Sequence, residues 1–438
     1  VKKIIGSIIL AVIVMCNYGM SQINNSDIMW QIKPQFVHAG NFSEGLAVFS
    51  IEEFSEDSRY GYIDMDGKVV IEPQFRSSYD FHEGFAVAYK KDEPSKYINR
   101  AGKNEFNPAL NFARDFSEGM ACVDNTYNIR GFINRSGALI IDYKYHMAKY
   151  FREGLANVTV KAKGGYIDQK GNYIVEPRLY AANDFSEGLA CIKFEKDDKF
   201  CYIDKKGKVA ITPQFYSADD FSEGLAPVRF EKDGKYGYIN NKGNISIQPQ
   251  LVGAKAFSEG LARAGKDNKY GYINKMGKLI IETHFNETYD FSEGVARFKQ
   301  NDKYGFIDKH GDVVIDAQFE SASDFCEGLA RVRIEKNGKY GFIKNPLTVK
   351  KQLQSAVDAG FYVGGVKTIN GSELLVSGKN ISENVFVGNK LCLFTADKVI
   401  FLHVTEKLSG EVKCNLFSAD LNEIKKGAKV YKYRKMKI

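Results

Sequence analysis

The dipeptide Glu-Gly occurs at Glu44-Gly45, Glu83-Gly84, Glu118-Gly119, Glu153-Gly154, Glu187-Gly188, Glu223-Gly224, Glu259-Gly260, Glu293-Gly294 and Glu327-Gly328, at intervals of 34 to 39 residues. Nine carboxylates in register could gather a hard cation, move protons, or accept hydrogen bonds. Calcium loops collect several oxygen ligands within about a dozen residues, whereas here one acid recurs per repeat. A role shared by every copy is structural: the carboxylate accepts hydrogen bonds from turn amides and holds the glycine bend.

Other chemistry finds no constellation. The histidines His38, His82, His146, His284, His310 and His403 fall at different repeat positions, with no pair at metal-ligand spacing and no partner set for a nucleophile. His82 and Cys326 stand where most repeats have Ser, and both read as repeat drift. Cys122, Cys191, Cys201, Cys326, Cys392 and Cys414 include no CxxC pair. A two-residue turn at Asp197 and Asp198 would pair Cys191 with Asp204, away from Cys201. The 40 glycines sit at repeat turns rather than in a phosphate loop. No catalytic, cofactor-binding or metal-binding residue is nominated, and the expectation is that the protein is not an enzyme.

The elements that carry the nine acids are short strands. In the fullest copy, apolar side chains alternate along Leu225-Ala226-Pro227-Val228-Arg229-Phe230, Asp233-Gly234 reads as a two-residue hairpin turn, and Tyr236 to Ile239 as the return strand. Asp-x-x-Gly, as at Asp64 to Gly67, Asp204 to Gly207 and Asp308 to Gly311, suits a turn closed by a left-handed glycine. Lys68 to Ile71 would then be a third strand. Pro73, Pro177, Pro213 and Pro249 lack the amide a ladder needs and mark where pairing should end. One repeat is thus three strands and a loop, with Phe75, Phe215, Phe285 and Phe319 plugging it against its neighbour. The tyrosines could offer carbohydrate a stacking ladder or could be core, and inward alternation with Ile and Val favours core.

This unit resembles the WG-repeat family, whose copies carry Trp or Tyr then Gly, an aromatic, Ile, Asp, a glycine turn, Pro-x-Phe or Pro-x-Tyr, and Phe-x-Glu-Gly-Leu-Ala. The resemblance covers roughly residues 30 to 344. The leading Trp is replaced by Tyr60, Tyr236, Tyr270, Tyr304 and Tyr340, and the paired Gly by Lys96 and Cys201.

A repeat that cannot bury its own apolar face must stack. The expected fold is all-β: tandem three-stranded repeats in an open, solenoid-like or superhelical array, with closure into a propeller as the alternative. The first interval holds Ile51 to Ser58, expected to lengthen one hairpin loop.

The ends differ from the array. Lys2 and Lys3, the apolar run Ile4 to Met15, and small Gly19 and Ser21 read as a secretory signal over residues 1–21, cut between Ser21 and Gln22. The apolar run is shorter than the roughly 20 residues of a membrane span, and Met15 before Cys16 argues against a lipid anchor. Repeats fill 22–345, a linker or short helix 346–360, and a small barrel or sandwich 361–438. A net charge of +7 on 438 residues is too mild to imply nucleic acid. The function expected is therefore an exported scaffold or binding array in the periplasm, on the cell surface or outside, with a protein or glycan partner. Alternatives are a spacer displaying the C-terminal domain, or an enzyme with its site in that domain.

Overall fold

The computed structural model describes residues 29–52, 59–91, 93–110, 112–266 and 269–348, and six strands beyond them. The expected signal, with Ser21 and Gln22, and linker residues 349–360 lie outside the described residues. The chain divides into two compact units, Met29–Asn345 and one containing Pro346–Ile438.

Met29–Asn345 is a closed propeller of nine blades, not an open array. The sixth blade shows the plan: Ser217–Ala218, Leu225–Arg229, Tyr236–Asn240 and Ile245–Leu251 form an antiparallel meander, here called strands a to d. Closure is made by Trp30–Phe36, which pairs with Tyr340–Lys344 and becomes strand d of the ninth blade. The third blade keeps strands b to d, and its inner strand shrinks to a bridge between Ala113 and Val123.

Three local expectations are corrected. Eight of the nine blades have four strands, because the segment read as a loop supplies strand a; at two residues in Ser217–Ala218 it is too short to show a period. The prolines do not end pairing. Pro213 lies inside Val209–Phe215, in a bulge between the pairs Tyr202↔Ile211 and Phe200↔Phe215. This outermost strand can spare an amide, and the bulge presses on the Tyr-Gly glycine: a Cβ on Gly237 would stand 2.5 Å from the Ile247 carbonyl oxygen and 2.9 Å from Pro249 N. The turn after Arg229 spans Glu231 to Gly234, closed by Gly234 N to Glu231 O at 3.1 Å, so Leu225 pairs with Asn240. The same register shift pairs Cys191 with Tyr202 and Ile192 with Cys201. Cys191 and Cys201 face opposite sides of one blade, in different clusters, and both are free thiols.

The core lies between blades. Tyr202, Ile211 and Phe215 of the fifth blade pack with Phe221, Ala226, Val228 and Ile239 of the sixth. Phe75, Phe215, Phe285 and Phe319 are all buried. The inner strands Gly253–Ser258 and Glu287–Ser292 of successive blades touch, while Val69, Val70, Leu139, Ile140, Val209 and Ile245 of the outer strands are exposed at the rim.

In the second unit, Tyr362–Asn370, Glu373–Ser377, Lys390–Phe394, Val399–Leu408, Glu411–Leu416 and Lys429–Lys432 close into a six-stranded barrel. Among the described residues no helix is long and apolar enough to cross a membrane.

Candidate functional site

Every Glu-Gly pair forms the a–b turn of a blade. In the first, Ser43 and Leu46 exchange backbone hydrogen bonds of 2.9 and 3.2 Å. Both central residues are left-handed, with φ of 53° to 55° at all nine Glu and 75° to 87° at the Gly. This is the primed turn that matches hairpin twist. Glycine accepts such a φ freely; for glutamate it costs on the order of 1 kcal/mol.

The carboxylates are held by the following blade. Glu44 accepts from Gly84 N, Glu83 from Gly119 N, and Glu118 from the amides of Glu153 and Gly154. Glu153, Glu187, Glu223, Glu259 and Glu293 accept in turn from the amides of Gly188, Gly224, Gly260, Gly294 and Gly328. The series returns to its start at Glu327, which accepts from Gly45 N at 2.8 Å.

Long polar side chains from the next blade's c–d turn add a second hold. Lys205, Lys275 and Lys309 pair with Glu153, Glu223 and Glu259 at 3.0 to 3.1 Å. Arg100, Arg135 and Gln169 donate to the main-chain oxygens of Glu44, Glu83 and Glu118, and Asn345, which follows strand c of the ninth blade, donates to that of Glu293. Burial works against charge at Glu153, but the Lys205 hydrogen bond and the Gly188 amide outweigh it and leave the carboxyl below its ordinary range. Glu259 behaves alike, with Lys309 and Gly294 opposing burial.

Sequence reading did not single out three further sets of cross-blade contacts. Ser43, Ser117, Ser186, Ser222, Ser258 and Ser292 donate through Oγ to the carbonyls of Phe81, Phe151, Phe221, Phe257, Phe291 and Phe325. Tyr62, Tyr97, Tyr166, Tyr202, Tyr238 and Tyr272, buried on strand c, donate their hydroxyls to carbonyls 17 residues onward. These tyrosines are core, and burial raises the pKa of all six. The third set runs from strand b to the next inner strand: Asn157 to Ala182 O, Arg263 to Thr288 O, Arg297 to Ala322 O and Arg331 to Ala39 O. Recurrence of Ser and Tyr marked the first two sets; nothing in the sequence marked the third.

The residue before each inner Phe is Asp in six blades: Asp80, Asp115, Asp184, Asp220, Asp290 and Asp324. Basic groups neutralise several of them. Lys149 and Arg152 reach Asp184, Arg263 reaches Asp290, and Arg297 reaches Asp324. Burial pushes the carboxyls of Asp80, Asp115 and Asp220 upward. His82 lies 3.8 Å from Asp115. Asp308, His310 and Asp312 bring their ligand atoms within 4.8 Å at an exposed turn, where Asp308 Oδ1 already accepts from the amides of His310 and Asp312 at 2.9 and 3.1 Å.

Among solved structures the chain is similar to a eukaryotic initiation factor (TM-score 0.48, 10% identity, 70% of this chain and 89% of that one). It is also similar to the computationally designed Ika8 protein (TM-score 0.37, 13% identity, 72% and 97%) and to BamB from Moraxella catarrhalis (TM-score 0.38, 7% identity, 61% and 96%). No curated protein matches the sequence. The model of the WG containing repeat matches residues 30–53, 60–93, 97–125, 131–163, 165–200, 202–236, 236–270, 270–304 and 304–340. These nine matches cover most of the propeller and more than half of the chain, and the protein belongs to the WG containing repeat family.

Proposed function

We propose that this protein is an exported, non-enzymatic propeller that binds or scaffolds a protein or glycan partner outside the cytoplasm. The observation that carries the reading is the internal use of its recurrent polar groups. The nine turn carboxylates and the strand-c hydroxyls are spent on neighbouring blades, which leaves the loops that differ between blades to meet a partner.

The b–c loops and the d-to-a connections share one end of the antiparallel blades. There Tyr127, Tyr180 and Tyr216 are 82%, 49% and 39% exposed, and Arg229 lies 5.2 Å from the ring centroid of Tyr216. Exposed tyrosine beside guanidinium suits protein and sugar surfaces alike. Export rests on the charged and apolar character of residues 2–21.

The test uses the full chain on a glycan array and as bait for envelope and extracellular proteins, beside a Tyr127→Ala/Tyr180→Ala/Tyr216→Ala variant. A ligand retained by the parent and lost by the variant supports the reading. Absence of any specific ligand, or one held equally by the variant, rejects it.

A further inference from the structure

The nine blade interfaces are not equal. The interface from the sixth to the seventh blade has the serine, tyrosine and glutamate contacts together, though Pro227 leaves it without the strand-b contact: Ser222 to Phe257 O at 2.7 Å, Tyr238 to Lys255 O at 2.6 Å, and Glu223 to Gly260 N at 3.0 Å. The serine is missing from three blades, where His82, Arg152 and Cys326 replace it, and the tyrosine from three, where Phe132, Phe306 and Phe342 replace it.

Most gaps are filled or single. His82 faces Asp115 of the next blade at 3.8 Å, and Arg152 faces Asp184 at 4.0 Å, so an imidazole or a guanidinium against a carboxylate stands in for the serine. The interfaces with Phe132 and Phe306 keep Ser117 and Ser292. Only from the ninth blade to the first do both substitutions coincide, Cys326 with Phe342. There the following blade presents Asn41 where Asp115 and Asp184 stand in the other two.

This is also the place where the sheet joins two distant stretches of chain. Strand d of the ninth blade, Trp30–Phe36, is bound to the first blade on its other side: Gln31 Nε2 donates to Met65 O and to Asp66 Oδ1, both at 2.9 Å. A Cβ on Gly67 of that turn would meet Ile32 at 3.1 Å. Among the contacts that cross the gap are the ladder to Tyr340–Lys344, the Glu327 and Arg331 contacts, and the packing of Phe36 and Phe42 on Phe342 and Leu329.

We infer that the ring is built to open at this seam, between Trp30–Phe36 and Tyr340–Lys344, with Trp30–Phe36 leaving in company with the first blade. Opening frees the hydrogen-bonding edge of Tyr340–Lys344 and uncovers the cluster of Ile32, Phe36, Phe42, Phe49 and Phe342. The other eight interfaces stay shut, since each keeps at least one of the two hydroxyl contacts.

Hydrogen exchange of the full-length chain, read by mass spectrometry, tests this. The amides of Trp30–Phe36 and Tyr340–Lys344 should exchange on the order of tenfold faster than those of Ile245–Leu251 and Tyr236–Asn240, the same pair of strands in the sixth blade, which keeps both hydroxyl contacts. Equal rates overturn the inference without any substitution. Cys326→Ser with Phe342→Tyr places hydroxyls at the positions that elsewhere reach the carbonyls equivalent to those of Phe42 and Gly40. That variant should slow the seam to the rate of the sixth blade, while Phe132→Tyr leaves it fast. A seam unchanged in the double variant, or slowed equally by Phe132→Tyr, also overturns the inference.

Discussion

Gly45 donates its amide to Oε2 of Glu327, 282 residues further along the chain, at 2.8 Å. The contact repeats what Gly260 does to Glu223, and it turns a row of eight junctions into a ring of nine. Its partners sit in turns of identical conformation, so chain distance leaves no mark on local geometry.

Removing one carboxylate should therefore be felt by the neighbouring blade. Glu223→Ala leaves the Gly260 amide without its acceptor and should cost about 1–3 kcal/mol. Glu223→Gln keeps an acceptor and loses only the part-exposed Lys275 pair, worth at most about 1 kcal/mol. Urea denaturation of the three proteins ranks them; equal losses would show that the amide contact is not the stabilising part.

Tyr238→Phe removes one hydroxyl and leaves the buried ring in place. The Lys255 carbonyl then loses a 2.6 Å donor, and the midpoint should fall by an amount equivalent to about 1 kcal/mol. A midpoint identical to the parent would mean that the ring alone matters.

Two left-handed glycines separate strain from crowding. Gly224 has φ +84° with nothing within 4 Å of an added Cβ, whereas at Gly277, φ +76°, that atom would stand 2.8 Å from Cγ2 of Ile247. Gly224→Ala should cost about 1–2 kcal/mol from backbone strain, and Gly277→Ala more. Thermal unfolding checks the order, and a reversed order contradicts the packing.

The half-buried carboxylates that precede the inner phenylalanines set an acid-side dependence. Burial raises Asp220 first of all, with Asn183 opposing it and Asp219 and Asp184 adding to it. Between its unfolded and raised folded pKa the native state binds more protons, so the stability this group contributes is present in acid and lost as pH rises through the folded value. Asp220→Asn should raise the melting temperature at pH 7 and converge with the parent near pH 3. Parallel melting curves across that range would refute the assignment. Glu153 and Glu259 act with the opposite sign, giving stability above their unfolded pKa that is lost as pH falls through their lowered folded values.

Thiol labelling followed by peptide mapping distinguishes the propeller cysteines. Cys122, Cys191 and Cys201 are buried and Cys326 is exposed, and burial pushes the Cys122 thiol up to about 12 and that of Cys201 to about 11. Among these four, a mild disulfide reagent should modify Cys326 alone in the native protein, and all four in denaturant.

The repeat unit was legible because its apolar alternation and its Glu-Gly turns recur together. The strands around Leu225–Arg229 and Tyr236–Asn240 lie where the alternation places them. Closure was not legible, since the strand that completes the ninth blade, Trp30–Phe36, lies at the opposite end of the array and carries no local sign of its partner. Strand a escaped because in five blades it is only two residues long, too short to display a period. Asp233-Gly234 misled because a favoured dipeptide also fits inside a four-residue turn. As for the acids, residue type and recurrence suggested an amide acceptor, but only the fold shows that each amide belongs to the next copy.

That forward reach gives the ring a directional grammar. Each junction joins a carboxylate on one unit to an amide on the next, and no Glu-Gly contact skips a unit. A gene that gained or lost one repeat by unequal recombination would still present every surviving carboxylate with the same kind of donor. The bonding therefore carries no tally of blades. The number is left to how tightly the wedges pack, and whole units can enter or leave a lineage without any new chemistry at the joins.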